Sequence, residues 1–359
     1  MKVGLVLGAG GVMGGAWITG GLEALARETG WDPGSADYVV GTSAGSMMGT
    51  LVASGIPPWF MVAHSQGRNF DGLAGADGRP AASADRSAGA RYRLGRGIPW
   101  LVLGSPQLAL NSLTRRGAAG AYGLLLSLGP RGVISTEPLK EIVRRVVPEG
   151  WSPHPNLWLV ATDYRTGRRI VFGRRGSPRA ELADAVAASC AVPSFYQPVK
   201  IGDRLYIDGG VNSVSNLDLL AGKDLDLVIC LNPMTSRYQP TGFRPLPRLQ
   251  ALLRSGAGRR LGHEARLVRQ GGTRVVLLQP TVPDLKMMGS NWLSGRKRHA
   301  VIEQAIETVG AQLRAPEARQ LMDGLPPGEP YRVKEPTDIP VEAWAGIVGV
   351  GGAPRRRSA

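Results

Sequence analysis

The sequence predicts an α/β protein on a mainly parallel central sheet. Two strand–turn–helix units follow one another within residues 3–54, and apolar strand-like runs then alternate with helical patterns as far as Leu313. With 359 residues, 43% of them apolar, the chain can bury one large core or two smaller ones.

Val3–Leu7 is a continuous apolar run, the mark of a strand covered on both faces. Gly8–Gly15 reads as a glycine-rich loop, and Ala16 to Arg27 as a helix with Ile18, Leu22 and Leu25 at helical spacing. The second unit repeats the first: Asp37–Val40 as strand, Gly41–Gly45 as tight turn, Ser46–Ser54 as the opening of a helix. Residues 66–132 break the pattern. They start polar and rich in Gly and Ala, turn apolar with scattered Arg, and read as a cap or lid inserted over the sheet. Glu137–Val147 is a helix, N-capped by Ser135 or Thr136, with Pro138 in its first turn. Leu157–Ala161 and Arg169–Phe172 are strands about a Thr166-Gly167 turn, and Glu181–Cys190 is a helix that stops before Pro193. Leu205–Ile207 and Leu225–Leu231 are strands on either side of Asp208-Gly209-Gly210. Arg274–Gln279 is a further strand and His299–Leu313 a closing helix. The expected organisation is a main unit over 1–235, a basic extension over 236–315 that completes the fold, and a loosely ordered Pro/Gly-rich tail over 316–359.

The charge narrows the partners. Forty-three basic residues against 28 acidic give a net charge of +15. From Arg237 to Arg274 nine arginines face a single acid, Glu264. Such a surface attracts an anionic membrane. The competing reading is codon composition, since only seven of the 43 are Lys; nucleic acid is not expected. Apolar stretches within 98–129, with Trp100 and Tyr122, suit either an apolar groove or membrane contact, or an ordinary packed cap. The longest uncharged stretch, Gly97 to Thr114, contains Pro99, Gly104 and Pro106, which argues against a spanning helix. Cys190 and Cys230 have neither metal-ligand nor redox spacing and read as buried free thiols. The expected location is cytoplasmic, peripheral on the membrane, and the sequence carries no signal for an oligomeric state.

Three motifs carry chemistry. In Gly41-Thr42-Ser43-Ala44-Gly45 a serine sits on a sharp strand-to-helix turn, which lifts its Oγ clear of the sheet and sets a helix N-terminus beside it. Ser43 is therefore a candidate nucleophile; the plainer reading is a helix N-cap. The run Gly8-Ala9-Gly10-Gly11-Val12-Met13 lacks the Lys-Ser/Thr of a phosphate loop and the third glycine of a dinucleotide fingerprint. An oxyanion hole, a nucleotide site of another kind and plain helix–strand packing remain open for it. Asp208-Gly209-Gly210 is a common turn, or the general base that a serine hydroxyl needs at neutral pH. Ser43, Asp208 and His263 follow the chain order of a Ser–Asp–His triad, but His263 lies in a basic helical stretch without a loop signature.

The segment Gly4–Leu25, the Gly41–Gly45 elbow, the run Ala187–Pro193 and Asp208-Gly209-Gly210 together, in that order, resemble the patatin-like phospholipase family, in its bacterial-type form. The resemblance implies a three-layer α/β/α fold and a serine acyl hydrolase that cleaves lipid esters through a Ser–Asp dyad, with no metal or cofactor. By position, Ser43 is the implied nucleophile and Asp208 the base. Gly10 and Gly11, joined by Ala44, are the implied oxyanion donors, and Gly41, Gly45, Gly209 and Gly210 the motif glycines. Two residues depart from the family pattern: Ala9 in place of a glycine, and Met13 where many members carry Arg or Lys. These departures favour the alternative, a lipid-binding protein of the same fold with little or no turnover.

Overall fold

The computed structural model describes residues 1–67, 132–236, 245–289 and 291–335. The cap or lid expected at 66–132 therefore falls almost wholly outside the described residues, as do 237–244 and the terminal 336–359.

Eight strands form one mixed sheet. β1 (Val3–Leu7), β2 (Tyr38–Thr42), β3 (Leu157–Asp163), β7 (Leu227–Leu231) and β8 (Arg274–Leu278) run parallel, side by side in the order β3, β2, β1, β7, β8. β4 (Arg169–Phe172) and β6 (Arg204–Asp208) both pair antiparallel with β3, and β5 (Val199–Ile201) pairs antiparallel with β6.

Side chains alternate between the two faces. In β1 Val3, Leu5 and Leu7 enter one core and Val6 the other; in β7 Leu227, Ile229 and Leu231 oppose Val228 and Cys230. Such strands read as unbroken apolar runs because both faces are covered. The first face is covered by α1 (Gly11–Thr29), α2 (Ala44–Ala53), α5 (Leu182–Ser189) and α8 (Arg298–Arg314), and the second by α6 (Pro245–Arg269), through Leu261, Ala265 and Val268. The architecture is three-layer α/β/α. Three shorter helices, α3 (Pro58–Ser65), α4 (Glu137–Val146) and α7 (Val282–Met288), complete the core-facing set.

Several expected boundaries shift. α1 begins at Gly11, five residues before the expected Ala16, so most of the glycine-rich run is helix. Tertiary packing outweighs the poor helix propensity of glycine here: a Cβ on Gly20 would stand 2.3 Å from the Ile302 carbonyl oxygen of α8, so only glycine lets the two helices cross this closely. The loose order expected after Ala315 does not extend over residues 316–335. α9 (Pro316–Met322) and α10 (Pro330–Val333) dock through buried Met322, through Trp59 Nε1 donating to the Tyr331 carbonyl at 2.8 Å, and through an Arg332–Asp32 ion pair at 3.2 Å. No helix among the described residues is long and apolar enough to cross a membrane.

Candidate active site

β2 ends at Thr42, and the chain turns into α2 through a single residue, Ser43, at φ 54° and ψ −122°. Left-handed backbone at a residue with a Cβ costs on the order of 1–3 kcal/mol and persists only where the surroundings hold it. Here they do. The Ser43 N–H donates to Ser189 Oγ at 2.9 Å, and Ser189 Oγ donates to the Val160 carbonyl at 2.6 Å. The Ser43 carbonyl accepts from Ser46 Oγ at 2.6 Å and from Cys190 Sγ at 3.1 Å. Burial, and then the charge of Asp208, push the Cys190 thiol up to about 12, so it stays protonated and serves as a donor. The elbow needs glycine on each side: a Cβ on Gly45 would stand 2.0 Å from the Leu7 carbonyl oxygen, and one on Gly41 would stand 2.5 Å from Ser46 Cα.

Asp208 reaches the same place from the opposite direction. Leu159 and Val160 pair with β2 on one edge of β3 and with β4 on the other, while Ala161 and Thr162 pair with β4 and β6. β6 must therefore run down the edge that β2 runs up, and the two strands meet end to end. Thr42 faces Val160 and Asp208 faces Ala161, the next residue along β3. Ser43 and Asp208 are both buried, at 4% and 5% exposure. Burial pushes the Asp208 carboxyl up to about 6, against the opposing pull of the Ser43 hydroxyl and of the Gly210 N–H, which donates to Oδ1 at 2.7 Å. None of the four histidines hydrogen-bonds to Ser43 or Asp208 among the described residues, and His263 lies on the exposed side of α6.

Two helix N-termini converge on the elbow. Gly10 caps α1 and Gly11, at φ 62°, opens it; Ala44 opens α2. The N–H groups of Gly10, Gly11 and Ala44 have no partner among the described residues, whereas that of Ala9 donates to the Val214 carbonyl at 2.8 Å. The Gly45 N–H donates to the Gly8 carbonyl at 3.1 Å and so ties α2 to the glycine loop. Gly209 lies against the Val160 carbonyl, and the Cβ position of Gly210 is 3.5 Å from Ala9 Cβ, so the turn after Asp208 touches the same loop. All nine site residues singled out in the sequence come together here. Met13, one of the two departures, is buried at 2% in the core.

A family model for patatin-like phospholipases matches residues 5–221, which include the elbow, the glycine loop and Asp208. The chain belongs to the patatin-like phospholipase family. The matched span includes the Ala187–Pro193 run, whose Ser189 and Cys190 hold the Gly41–Gly45 elbow, a role that nothing in the sequence spelled out. Sequence reasoning also missed what surrounds the patatin-like glycine loop from the C-terminal side. The Trp292 carbonyl accepts from the Met13 N–H at 3.0 Å. Arg254, its guanidinium 5.6 Å from the Trp292 ring centroid, donates to the Pro233 carbonyl at 3.0 Å and is lowered to about 10 by burial. These residues are far apart in sequence and carry no local motif that would have marked them.

Proposed function

We propose that this patatin-like chain is a serine acyl hydrolase of the phospholipase A type, cleaving carboxylic esters of lipids through a Ser43–Asp208 dyad. The observation that carries the reading is the end-to-end meeting of β2 and β6, which brings a strained serine and a buried carboxylate together between two helix N-termini without a histidine.

The chemistry runs in two halves. Asp208 takes the hydroxyl proton as Ser43 Oγ attacks the ester carbonyl carbon. The oxyanion is held by the N–H groups of Gly10, Gly11 and Ala44, each worth ~10²–10³ in rate. Asp208 returns its proton to the departing alcohol and leaves an acyl-Ser43 ester. Water, deprotonated by the same carboxylate, then attacks that ester; the acid leaves and Ser43 regains its proton. A buried Met13 supports turnover over the inactive lipid-binding alternative, because the departure falls on a packing position while the N–H donors belong to the backbone.

The test is a fluorophosphonate probe followed by mass spectrometry, alongside release of fatty acid from a phospholipid and neutral-lipid panel. Wild type should carry the adduct on Ser43, and Ser43→Ala should lose both labelling and at least ~10³-fold in turnover. Undiminished hydrolysis by Ser43→Ala would remove the reading. We further propose that the basic surface holds the enzyme on anionic lipid.

A further inference from the structure

Glu264, the one acid between Arg237 and Arg274, is a buried carboxylate with every oxygen engaged. Glu264 lies on α6, outside the segment matched by the family, and its side chain is 3% exposed. Oε1 accepts from Ser213 Oγ at 2.6 Å and from Arg260 Nε at 3.0 Å. Oε2 accepts from Ser215 Oγ at 2.5 Å and from the Leu217 N–H at 3.0 Å. Four donors saturate the two oxygens, the condition under which a buried carboxylate is stable.

Three of the four donors belong to one short turn, 213–217, and this turn reaches every part of the dyad site. It begins five residues after Asp208. Its Val214 carbonyl accepts the Ala9 N–H at 2.8 Å and lies 2.9 Å from the Cβ position of Gly8, so it sets the height of the glycine loop. Its Asn216, left-handed at φ 54°, donates from Nδ2 to Thr42 Oγ1 at 3.0 Å, one residue before the nucleophile. Arg169 Nη1 donates to Asn216 Oδ1 at 3.2 Å and holds the amide in that orientation.

We infer that Glu264 is a positioning residue for the esterase reaction. From the far face of the sheet it clamps the 213–217 turn, and through Val214 and Asn216 it fixes the oxyanion donors relative to Ser43. The inference rests on the hydrolase reading. It assigns catalytic weight to the C-terminal extension, beyond the residues that define the family.

The test combines steady-state hydrolysis of a short-chain nitrophenyl ester with hydrogen exchange followed by mass spectrometry. Glu264→Ala should lower kcat ~10–100-fold, the scale expected for misplaced donors, with KM within ~3-fold. Exchange protection should fall over Gly8–Met13 and 209–217 while β7 and β8 keep theirs. Glu264→Gln should recover part of kcat. Its amide oxygen can serve Ser215 and Leu217, while its amide nitrogen faces the Ser213 hydroxyl, which already accepts the Ser215 and Asn216 N–H groups, and Arg260, 42% exposed and able to swing to water. If Glu264→Ala does not fold, Ser213→Ala/Ser215→Ala, which leaves the helix intact, must show the same pattern. Wild-type kcat and protection in these variants, a Gln variant as impaired as Ala, or protection lost evenly across the sheet would each overturn the inference. A wild type that turns over no ester defeats the hydrolase reading alone, and the exchange pattern over Gly8–Met13 still decides whether the clamp exists.

Discussion

As the proposed base, Asp208 meets two demands that oppose each other. A base must be ionised to accept a proton, yet burial favours its neutral form and lifts it from 3.8 to about 6. Activity should therefore rise with pH through about 6 and then level off, measured as kcat/KM on a soluble ester; a profile flat from pH 4.5 to 8 would deny Asp208 the role of base. The same shift acts on stability with a definite sign. The carboxyl binds its proton more tightly folded than unfolded, so its favourable contribution is full below about pH 4 and is lost as pH rises through 6. A shift of about two units at about 1.4 kcal/mol each makes Asp208→Asn roughly 3 kcal/mol more stable than wild type near pH 7.5, with no such gain near pH 4. Urea unfolding at both pH values measures it. Ser43 and Asp208 were legible as residue types beside glycines. Their meeting was not, because it depends on which edge of β3 receives β6, a matter of pairing and not of local pattern.

The elements show where local signals suffice. β1, β2, β7 and β8 announce themselves as apolar runs, since strands covered on both faces tolerate little else. β5, three residues long with only Val199 buried, leaves no such trace. α3, which opens on Pro58, and α7, with Pro283 in its first turn, lie in segments that carry turn residues, and the sequence reading marks no element there. The start of α1 is obscured by glycines whose Cβ positions lie against Pro233 and the Trp292 carbonyl. Glycines of the two kinds should respond oppositely to alanine. Gly45→Ala sets a methyl group against two backbone carbonyls, those of Leu7 and Gly8, and should cost more than ~3 kcal/mol or prevent folding. Gly262→Ala, inside α6 with nothing within 4 Å of the added Cβ, should gain ~0.5–1 kcal/mol from helix propensity. Paired denaturant melts separate them, and equal effects would contradict the packing described for the elbow.

For the molecule as a whole, the class of fold could be read from two successive strand–turn–helix units, and β8 and α8 could be read as a strand and a closing helix; what the C-terminal elements pack against could not. β8 adds a parallel strand beside β7, α6 covers the second face, α9 packs on α8 and β8, and the segment into α10 returns to the N-terminal helices through contacts such as Gly328 N–H to the Gly30 carbonyl at 2.7 Å. These are long-range pairings without a motif. The net charge of +15 acts at the same scale. If it attaches the enzyme to lipid, sedimentation with phosphatidylglycerol-containing vesicles should exceed that with phosphatidylcholine vesicles by at least ~10-fold at low salt. The difference should shrink sharply by 0.5 M NaCl, where the screening length falls to ~4 Å. Binding indifferent to both headgroup and salt would assign the arginines to composition alone.

The pairing of an early strand with a late one also sets a clock. Ser43 and the glycine loop leave the ribosome 165 residues ahead of Asp208, and the Glu264 clamp follows 56 residues later still. At ~5–20 residues per second, translation leaves Ser43 without Asp208 for roughly ten to thirty seconds. On the dyad reading, a nascent chain therefore gains hydrolytic power only once β6 has been made.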